Sequence, residues 1–395
     1  METIQDFLDS LYAEYRVVAF RGGRLIRGKV KELTADALAE LRRRLGTLGW
    51  LHSLETIDGA QYLTCTVMDR PIERRRGLHF VLFALTVLTT MIGGGDLGFG
   101  AFYVAGAAII DGMLRAAYAV VTSFPHVSLD TVLRSGLGQV FAEAGKLLAV
   151  MAAGIPFSFA ILTILGCHEM GHYVAARRHG MNVTLPYFIP VPLGIGTLGA
   201  LIRIRSPLIH RRMVMDVGAA GPLAGAVASI IFLAIGVAQS QIGPITGQGI
   251  PLGDSIITRA LVWLVQGPIP PGLDVLFHPF AFAGWIGLLI TAINLLPIGQ
   301  LDGGHVAYAL FGPLQRRLAT MTFGMLITFG IIGFFTSFQH GSWPYLFFAV
   351  LTRSFMKSTH PPALDASVKL GARRTIVGII CLILLVVCFV PSPFN

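Results

Sequence analysis

Charged side chains are scarce in this sequence. Only 13% of its 395 residues are Asp, Glu, Lys or Arg, whereas 54% are hydrophobic. Soluble domains carry about 25% charged residues, so several segments must be solvated by lipid rather than by water. The composition therefore excludes an ordinary soluble protein and predicts a polytopic α-helical membrane protein.

Cysteine is also rare, and a cleavable signal peptide is not visible. The cysteines lack CxxC spacing, which argues against a disulfide framework and a cysteine-based metal site; they are Cys65, Cys167, Cys381 and Cys388. The first ten residues, METIQDFLDS, are polar and acidic, unlike a signal peptide. We therefore expect the amino terminus to lie in the cytoplasm.

The net charge of +9 has two possible meanings. A basic protein can bind nucleic acid, but here the arginines stand in short clusters beside apolar runs, at residues 74–76, 177–178, 211–212, 316–317 and 373–374. That arrangement follows the positive-inside rule of membrane proteins. The clusters therefore predict topology, and no nucleic-acid partner is expected.

The chain divides near residue 72. Residues 1–72 combine strand-like pieces, YRVVAF and QYLTCTV, with a helix-like piece, ADALAELRRRLGTLG. This mixture predicts a small cytoplasmic α+β domain, for which a βαββ unit is one arrangement. Residues 73–395 contain the long apolar runs and form the predicted transmembrane domain.

Eight apolar runs are candidate membrane spans. They cover residues 78–95, 99–121, 147–176, 214–238, 276–297, 318–337, 340–352 and 375–391. If the clusters at 74–76 and 177–178 both face the cytoplasm, an even number of crossings separates them. The run 99–121 is the weakest of the three between them because it contains Asp111 and Arg115. We expect it to be a loop or a re-entrant segment, which leaves about seven transmembrane helices.

A metal-binding pattern stands at the end of one apolar run. The segment GCHEMGHYVAARRHG contains His168, Glu169 and His172. Residues four apart differ by only about 40° around a helix, so both imidazoles can reach one ion. In this HExxH pattern two neutral imidazoles hold Zn²⁺ and the glutamate accepts a proton from the zinc-bound water. Ionisable groups at span depth are costly unless they are paired or metal-bound, which favours a functional site.

A catalytic zinc needs a third protein ligand and one open position. The later run GWIGLLITAINLLPIGQLDGG offers Asp302, whose carboxylate completes a His, His, Asp set. Gly303 and Gly304 permit the tight backbone that aims it. The alternative is that Asp302 only caps a helix starting at Gly303. His305 is a rival ligand, for which we favour a supporting or packing role.

With both motifs in place, the sequence resembles the site-2 proteases, zinc metalloproteases that cleave within membranes. HEMGH and NLLPIGQLDGG carry the resemblance, and no long soluble domain separates them. Further segments are similar to a branch without a PDZ insert: TLPYFIPVP, GTLGALIRIRSP, DVGAAGPLAG, HPP at 360–362 and the terminal FVPSPF.

The resemblance implies a function and residue roles. It implies that residues 73–395 form a multi-pass zinc metalloprotease domain of a cytoplasmic or inner membrane, acting on transmembrane proteins or peptides in the lipid bilayer. His168, His172 and Asp302 would bind Zn²⁺, Glu169 would be the general base, and Asn294 would position the substrate or its oxyanion. A helix-to-helix hydrogen bond is the alternative for Asn294.

Two other classes bury similar groups. A transporter would show internal repeats with paired broken helices, and neither motif has a second copy in the sequence. A zinc scaffold without activity would need a closed site with four protein ligands.

Three further features give expectations about packing. The irregular segment 183–205 resembles a membrane-dipping hairpin whose edge can pair with an extended substrate, and the alternative is an irregular loop lining the cavity. Gly221 and Gly225 form a GxxxG pattern that favours close helix packing, with oligomerisation as the alternative. Asp216 lies near Arg211 and Arg212 in the sequence and is predicted to pair with them.

Overall fold

The computed structural model is mainly helical. It describes residues 9–20, 23–31, 41, 45, 50–57, 59–68, 76–95, 100–123, 137–244, 251–336, 342, 344–355, 363 and 368–393. The HPP segment at 360–362 and most of the helix-like piece at 35–49 lie outside these residues.

The amino-terminal region contains a four-stranded antiparallel sheet. Its strands are β1 (Tyr12–Phe20), β2 (Gly23–Val30), β3 (Leu51–Ile57) and β4 (Ala60–Met68), in the order β1-β2-β4-β3. Leu41 and Leu45 are helical and pack into the core of this sheet, so the small α+β region is confirmed. The sheet has one strand more than a βαββ unit, since the strand β2 carries Arg24, Arg27 and Lys29 and gives little hydrophobic signal.

The remaining chain forms a set of helices with two short hairpins. The described helices are α1 (Arg76–Gly95), α2 (Gly100–Ser123), α3 (Gly138–Ala153), α4 (Ile155–Arg178), α5 (Arg211–Gln239), α6 (Ile256–Gln266), α7 (Pro279–Asn294), α8 (Asp302–Phe311), α9 (Gln315–Thr336), α10 (Pro344–Phe355) and α11 (Ala372–Cys388). The hairpins are β5 (Tyr187–Pro190) with β6 (Thr197–Leu201), and β7 (Gln241–Pro244) with β8 (Leu273–Leu276).

Several of these helices have the length and apolar character of membrane spans. Among the described residues, Gly77–Gly95, Arg211–Gln239 and the continuous stretch Asp302–Phe335 qualify. The pair α3 and α4 qualifies as a fourth candidate if its 47° bend lies within one span. A membrane protein with three to four candidate spans is therefore supported, while seven crossings stay a prediction.

The run 99–121 differs from the expectation of a loop. The chain forms the helix α2 there, although α2 is not among the candidate spans. Asp111 and Arg115 make an i,i+4 salt bridge of 2.8 Å on its exposed surface, and such pairs support a helix locally. Arginine clusters on the same side of a membrane require an even number of crossings between them. They do not determine the secondary structure of a segment that does not cross.

Close packing of α4, α5 and α7 forms the main core. Phe157, Leu233 and Leu288 are among its fully buried side chains. Glycines allow the helices to approach: a Cβ on Gly236 of α5 would lie 1.9 Å from the backbone nitrogen of Ala281 on α7. The three helices are thereby held at backbone contact, which gives the side chains between them little room to move.

The segment 183–205 contains a hairpin rather than an irregular loop. Strand β5 pairs antiparallel with β6, and Thr89 of α1 donates a 2.6 Å hydrogen bond to the carbonyl of Gly196 between them. Gly196 has φ +84° and passes the backbone of Thr89 so closely that a Cβ would lie 2.3 Å from its carbonyl oxygen. The hairpin is thus fixed against α1.

The predicted pairing of Asp216 with its neighbours in sequence is wrong. Arg374 of α11 donates two 2.8 Å hydrogen bonds to its carboxylate. Arg211 instead donates to the carbonyls of Ala309 and Leu310 at the end of α8. Because α11 packs against α5, Arg374 reaches Asp216 although it is far along the chain. Arg211 instead bonds to carbonyls at the end of a helix, where they have no partner within the helix.

Candidate metal centre

The helix α4 presents the HExxH residues in the core. It begins after Gly154, with proline in its first turn, and continues to Arg178. His168, Glu169 and His172 are each at most 7% exposed, although burying ionisable groups is costly without partners. The ring of each histidine must therefore be satisfied by groups from other elements.

Asp302 reaches the same place from a distant part of the chain. It is the first residue of α8 and follows a compact turn in which Gly299 has φ +50°. A Cβ on Gly303 would lie 1.8 Å from the carbonyl oxygen of Leu295, and one on Gly304 would lie 2.3 Å from that of Gly299. The two glycines therefore allow the turn to fold tightly beneath Asp302.

Capping does not account for the position of Asp302. The N-cap of α8 is Leu301, and no side-chain capping hydrogen bond is made there. The Asp302 carboxylate instead points at the two imidazoles, 3.3 Å from the Nε2 atom of each.

The three donor atoms form a nearly equilateral triangle. The Nε2 atoms of His168 and His172 are 3.2 Å apart, and Oδ2 of Asp302 is 3.3 Å from both. Three atoms that bind one tetrahedral ion at about 2.0 Å are spaced by about 3.3 Å. The donor set therefore fits Zn²⁺ in both type and spacing, and among the described residues this is the group of three that can hold an ion.

The backbone of α5 fixes the orientation of one imidazole. Nδ1 of His172 donates a 2.7 Å hydrogen bond to the carbonyl oxygen of Val217. With its proton on Nδ1, the ring presents the lone pair of Nε2 to the other donors, which is the arrangement expected of a metal-bound histidine. This contact was missed from the sequence, since a backbone carbonyl has no signature there.

Two glycines of α5 make room for the rings. A Cβ on Gly221 would lie 2.0 Å from Nε2 of His172, and a Cβ on Gly225 would lie 3.1 Å from Nδ1 of His168. On α4, next to His172, a Cβ on Gly171 would lie 2.4 Å from the carbonyl oxygen of Ala220 on α5. The GxxxG pattern thus serves both close helix packing and the space beside the imidazoles. Its small residues opposite an HExxH helix are the sequence signal for this role.

Glu169 lies beside the donor triangle without belonging to it. Its Oε1 atom is 4.0 Å from Nε2 of His168. Its Oε2 atom accepts a 2.8 Å hydrogen bond from the backbone N–H of Ile202, the residue after β6. One carboxylate oxygen is therefore held by the hairpin while the other is directed toward the donor set.

The other predicted site residues lie nearby or stay untested. Asn294 is the last residue of α7 and is half-buried, and its role stays a prediction. His305 packs against Gly218 of α5, where a Cβ would lie 2.6 Å from the Cβ of His305, and it is not in the three-residue donor group.

The chain is similar to one peptidase family and to proteins named as zinc metalloproteases. Residues 156–337 match the model of Peptidase family M50. The chain is 31% identical over 227 residues to the probable zinc metalloprotease EGY2, chloroplastic, of Oryza sativa subsp. indica, covering 55% of this chain and 40% of that protein. It is 32% identical over 254 residues to the probable zinc metalloprotease EGY1, chloroplastic, of Arabidopsis thaliana, covering 60% of this chain and 43% of that protein.

The chain thus spans less than half the length of these relatives. No solved structure matches it. The matched segment contains the HExxH helix, the helix α5 and the Asp302 turn. Residues 156–337 of this membrane protein therefore form a domain of peptidase family M50, the site-2 protease family.

Proposed function

We propose that this protein is an intramembrane zinc metalloprotease, which hydrolyses peptide bonds within or near transmembrane segments of membrane-anchored proteins. The observation that carries the proposal is the triangle of His168, His172 and Asp302, buried among apolar helices with Glu169 beside it. The relatives are named zinc metalloproteases, which supports zinc as the ion.

The residues have distinct roles in the proposed reaction. His168, His172 and Asp302 would hold the ion, which when bound would lower the pKa of a coordinated water to about 7 and polarise the peptide carbonyl. Glu169 accepts the proton of the attacking water through Oε1, because Oε2 is occupied by the N–H of Ile202. The same carboxyl group then delivers the proton to the leaving amine. We assign Asn294 to the substrate or its oxyanion, where an amide donor stabilises developing negative charge.

The hairpin provides a place for an extended substrate. Within the described residues its sheet has two strands, so a peptide can be added along β6, which leads directly to Ile202 and Glu169. A transmembrane helix shields its peptide groups by internal hydrogen bonds and must unwind before it is cut. We therefore expect substrates with helix-weakening residues to be favoured.

The proposed arrangement in the membrane has about seven crossings. Residues 1–72 form the cytoplasmic α+β domain and residues 73–395 the protease domain, with the arginine clusters on the cytoplasmic side. The ends of α4 and α5 near the amino-terminal sheet lie on that side as well.

Glu169→Gln is expected to separate zinc binding from cleavage. Glutamine keeps an acceptor for the N–H of Ile202 but cannot take a proton, so cleavage of a model transmembrane peptide should fall by roughly 10²- to 10⁴-fold. Zinc should stay at about one per chain, because Glu169 is outside the donor triangle. Zinc analysis and peptide cleavage in detergent measure both quantities.

Glu143→Gln on α3 is the matched control. The Glu143 side chain is 16% exposed and pairs with the exposed Lys146. Glutamine keeps its shape and an acceptor for Lys146, so this variant should retain parental cleavage. Parental cleavage by Glu169→Gln would remove the proposed base. Zinc binding by the parent without any cleavage would favour a metal-binding scaffold.

A further inference from the structure

A cluster of ionisable side chains joins the amino-terminal sheet to the membrane helices. Glu55 of β3 accepts hydrogen bonds from Nδ1 of His179, at 3.0 Å, and from Nε2 of His210, at 2.5 Å. The other nitrogen of His179 bonds to Asp216 at 2.9 Å, which is also held by Arg374. One carboxylate of the sheet thus contacts two histidines that lie at helix ends.

Both histidines occupy structurally important positions. His179 is the C-cap of α4, and His210 is the N-cap of α5, where its Nδ1 atom accepts a 3.1 Å hydrogen bond from the N–H of Met213. Because Nδ1 of His210 is an acceptor, its proton is on Nε2 and is donated to Glu55. Glu55 therefore ties the end of α4 to the start of α5.

Apolar packing accompanies these polar contacts. Leu25 of β2 is 2% exposed and lies in a cluster with Ala176 of α4 and Met213 and Val217 of α5. The sheet therefore docks on the helix ends through an apolar contact as well as through Glu55.

The two docked helix ends lie the same number of residues from His172 and from Val217, which His172 contacts. His179 follows His172 by seven residues on α4, and Val217 follows His210 by seven residues on α5. At about 1.5 Å per residue, each separation is about 10 Å. His172 bonds to the carbonyl of Val217, so the contacts of Glu55 and the contact of His172 are two connections between the same pair of helices.

The helix pair has little tolerance for a change in spacing. Where α4 and α5 contact each other, there is no room for a Cβ on Gly221 beside His172. A small shift of α5 relative to α4 therefore changes the hydrogen bond to Val217 and moves Nε2 of His172 within the donor triangle. Side-chain networks of this kind can transmit coupling to a site that they do not touch.

We propose that Glu55 is a positioning residue for the metal centre, which sets the spacing of α4 and α5 by bridging His179 and His210. The amino-terminal sheet is then a working part of the protease domain rather than a separate module. This inference rests on the proposed function, since it concerns the same zinc site.

The pKa values of the cluster predict how docking depends on pH. Burial disfavours the charged forms of Glu55 and His179, but hydrogen bonds outweigh this effect. The hydrogen bonds from His179 and His210 hold the pKa of Glu55 well below its usual range. The hydrogen bonds to Asp216 and Glu55 raise the pKa of His179 to about 9. The charged and titratable groups that face His179 are Glu55, His210, Asp216 and, through Asp216, Arg374.

Docking should therefore weaken in alkali. The contribution of His179 is complete below its ordinary pKa of 6.5 and is lost as the pH rises through about 9, whereas that of Glu55 persists down to strongly acidic pH. Pulse proteolysis of the full-length protein in detergent measures the stability of the docked sheet. The difference between the parent and Glu55→Ala should be largest near pH 6 and should shrink by pH 9.5. A difference that grows with pH would contradict this ion-pair assignment.

Zinc affinity tests the positioning role directly. In the full-length purified protein, Glu55→Ala is expected to weaken zinc binding about 2- to 30-fold in chelator competition, the range seen for coupling through residues that touch neither ligand. Glu55→Gln should recover part of the affinity, because an amide can still bond to both imidazoles. Glu14→Ala, an exposed glutamate of β1, is the control and should bind zinc as the parent does.

A second variant separates positioning from folding. His210→Asn keeps a favoured N-cap residue but loses the contact with Glu55, so it should weaken zinc binding to a similar extent. The double variant Glu55→Ala/His210→Asn should then be no weaker than either single variant, as coupled residues are non-additive. Parental zinc affinity in Glu55→Ala, or fully additive losses, would overturn the inference. Absence of zinc binding by the parent would instead overturn the proposed function.

Discussion

Gly221→Ala is expected to abolish both zinc binding and cleavage. The added Cβ would lie 2.0 Å from Nε2 of His172, the atom that faces the other two donors. The ring cannot simply move aside, because Nδ1 is bonded to the carbonyl of Val217 and the side chain is only 7% exposed. If the ring turned, Nε2 would leave the triangle; if α5 moved instead, the packing against Gly171 would be lost. The first response takes Nε2 out of the triangle, and the second moves the carbonyl that orients the His172 ring, so either one disturbs the predicted donor set.

Zinc content and peptide cleavage of the purified variant measure this effect. Gly225→Ala is a graded comparison, since its Cβ would lie 3.1 Å from His168 and small adjustments can accommodate it. Gly166→Ala is the matched control on α4, where a Cβ meets nothing within 4 Å, and alanine favours the helix by about 0.5–1 kcal/mol. A Gly221→Ala protein that binds zinc with parental affinity would show that α5 does not lie against His172 as described.

The sequence predicted the residues of the centre better than the groups that orient them. The four-residue spacing placed His168 and His172 on one helix face, and the chemical need for a third donor singled out Asp302. The structure brings the three donor atoms within 3.3 Å of one another. By contrast, the carbonyl of Val217 and the N–H of Ile202 are backbone groups, so no side-chain pattern could identify them.

Charge pairing showed the limits of reasoning from local sequence. Proximity in the sequence pairs Asp216 with Arg211 and Arg212, whereas helix packing brings Arg374 to it. His179 and His210 are not spaced like metal ligands in the sequence. Their common partner Glu55 belongs to the predicted amino-terminal domain, whereas both histidines belong to the predicted transmembrane domain. Such contacts depend on which helix ends meet in space. They become visible only once the helices are packed.

Asp302→Asn is expected to weaken zinc binding strongly while leaving the fold intact. Asparagine has nearly the same shape but lacks the negative charge and is a poorer donor to Zn²⁺. Structural zinc sites with four ligands bind with about 10–16 kcal/mol, so one ligand corresponds to roughly a 10²- to 10³-fold change in affinity. The start of α8 should be unaffected, because no side-chain cap is made there.

Zinc titration distinguishes a weakened ligand set from a misfolded protein. If Asp302 is a ligand, Asp302→Asn should regain zinc only at concentrations raised by that factor, with thermal stability of the zinc-free protein close to that of the zinc-free parent. Asp111→Asn, which removes an exposed helix-surface ion pair on α2, should titrate like the parent. Parental affinity in Asp302→Asn would return His305 to consideration as the third ligand. Because Oδ2 of Asp302 is equidistant from both imidazoles, losing its charge should weaken the whole donor set rather than one of its edges.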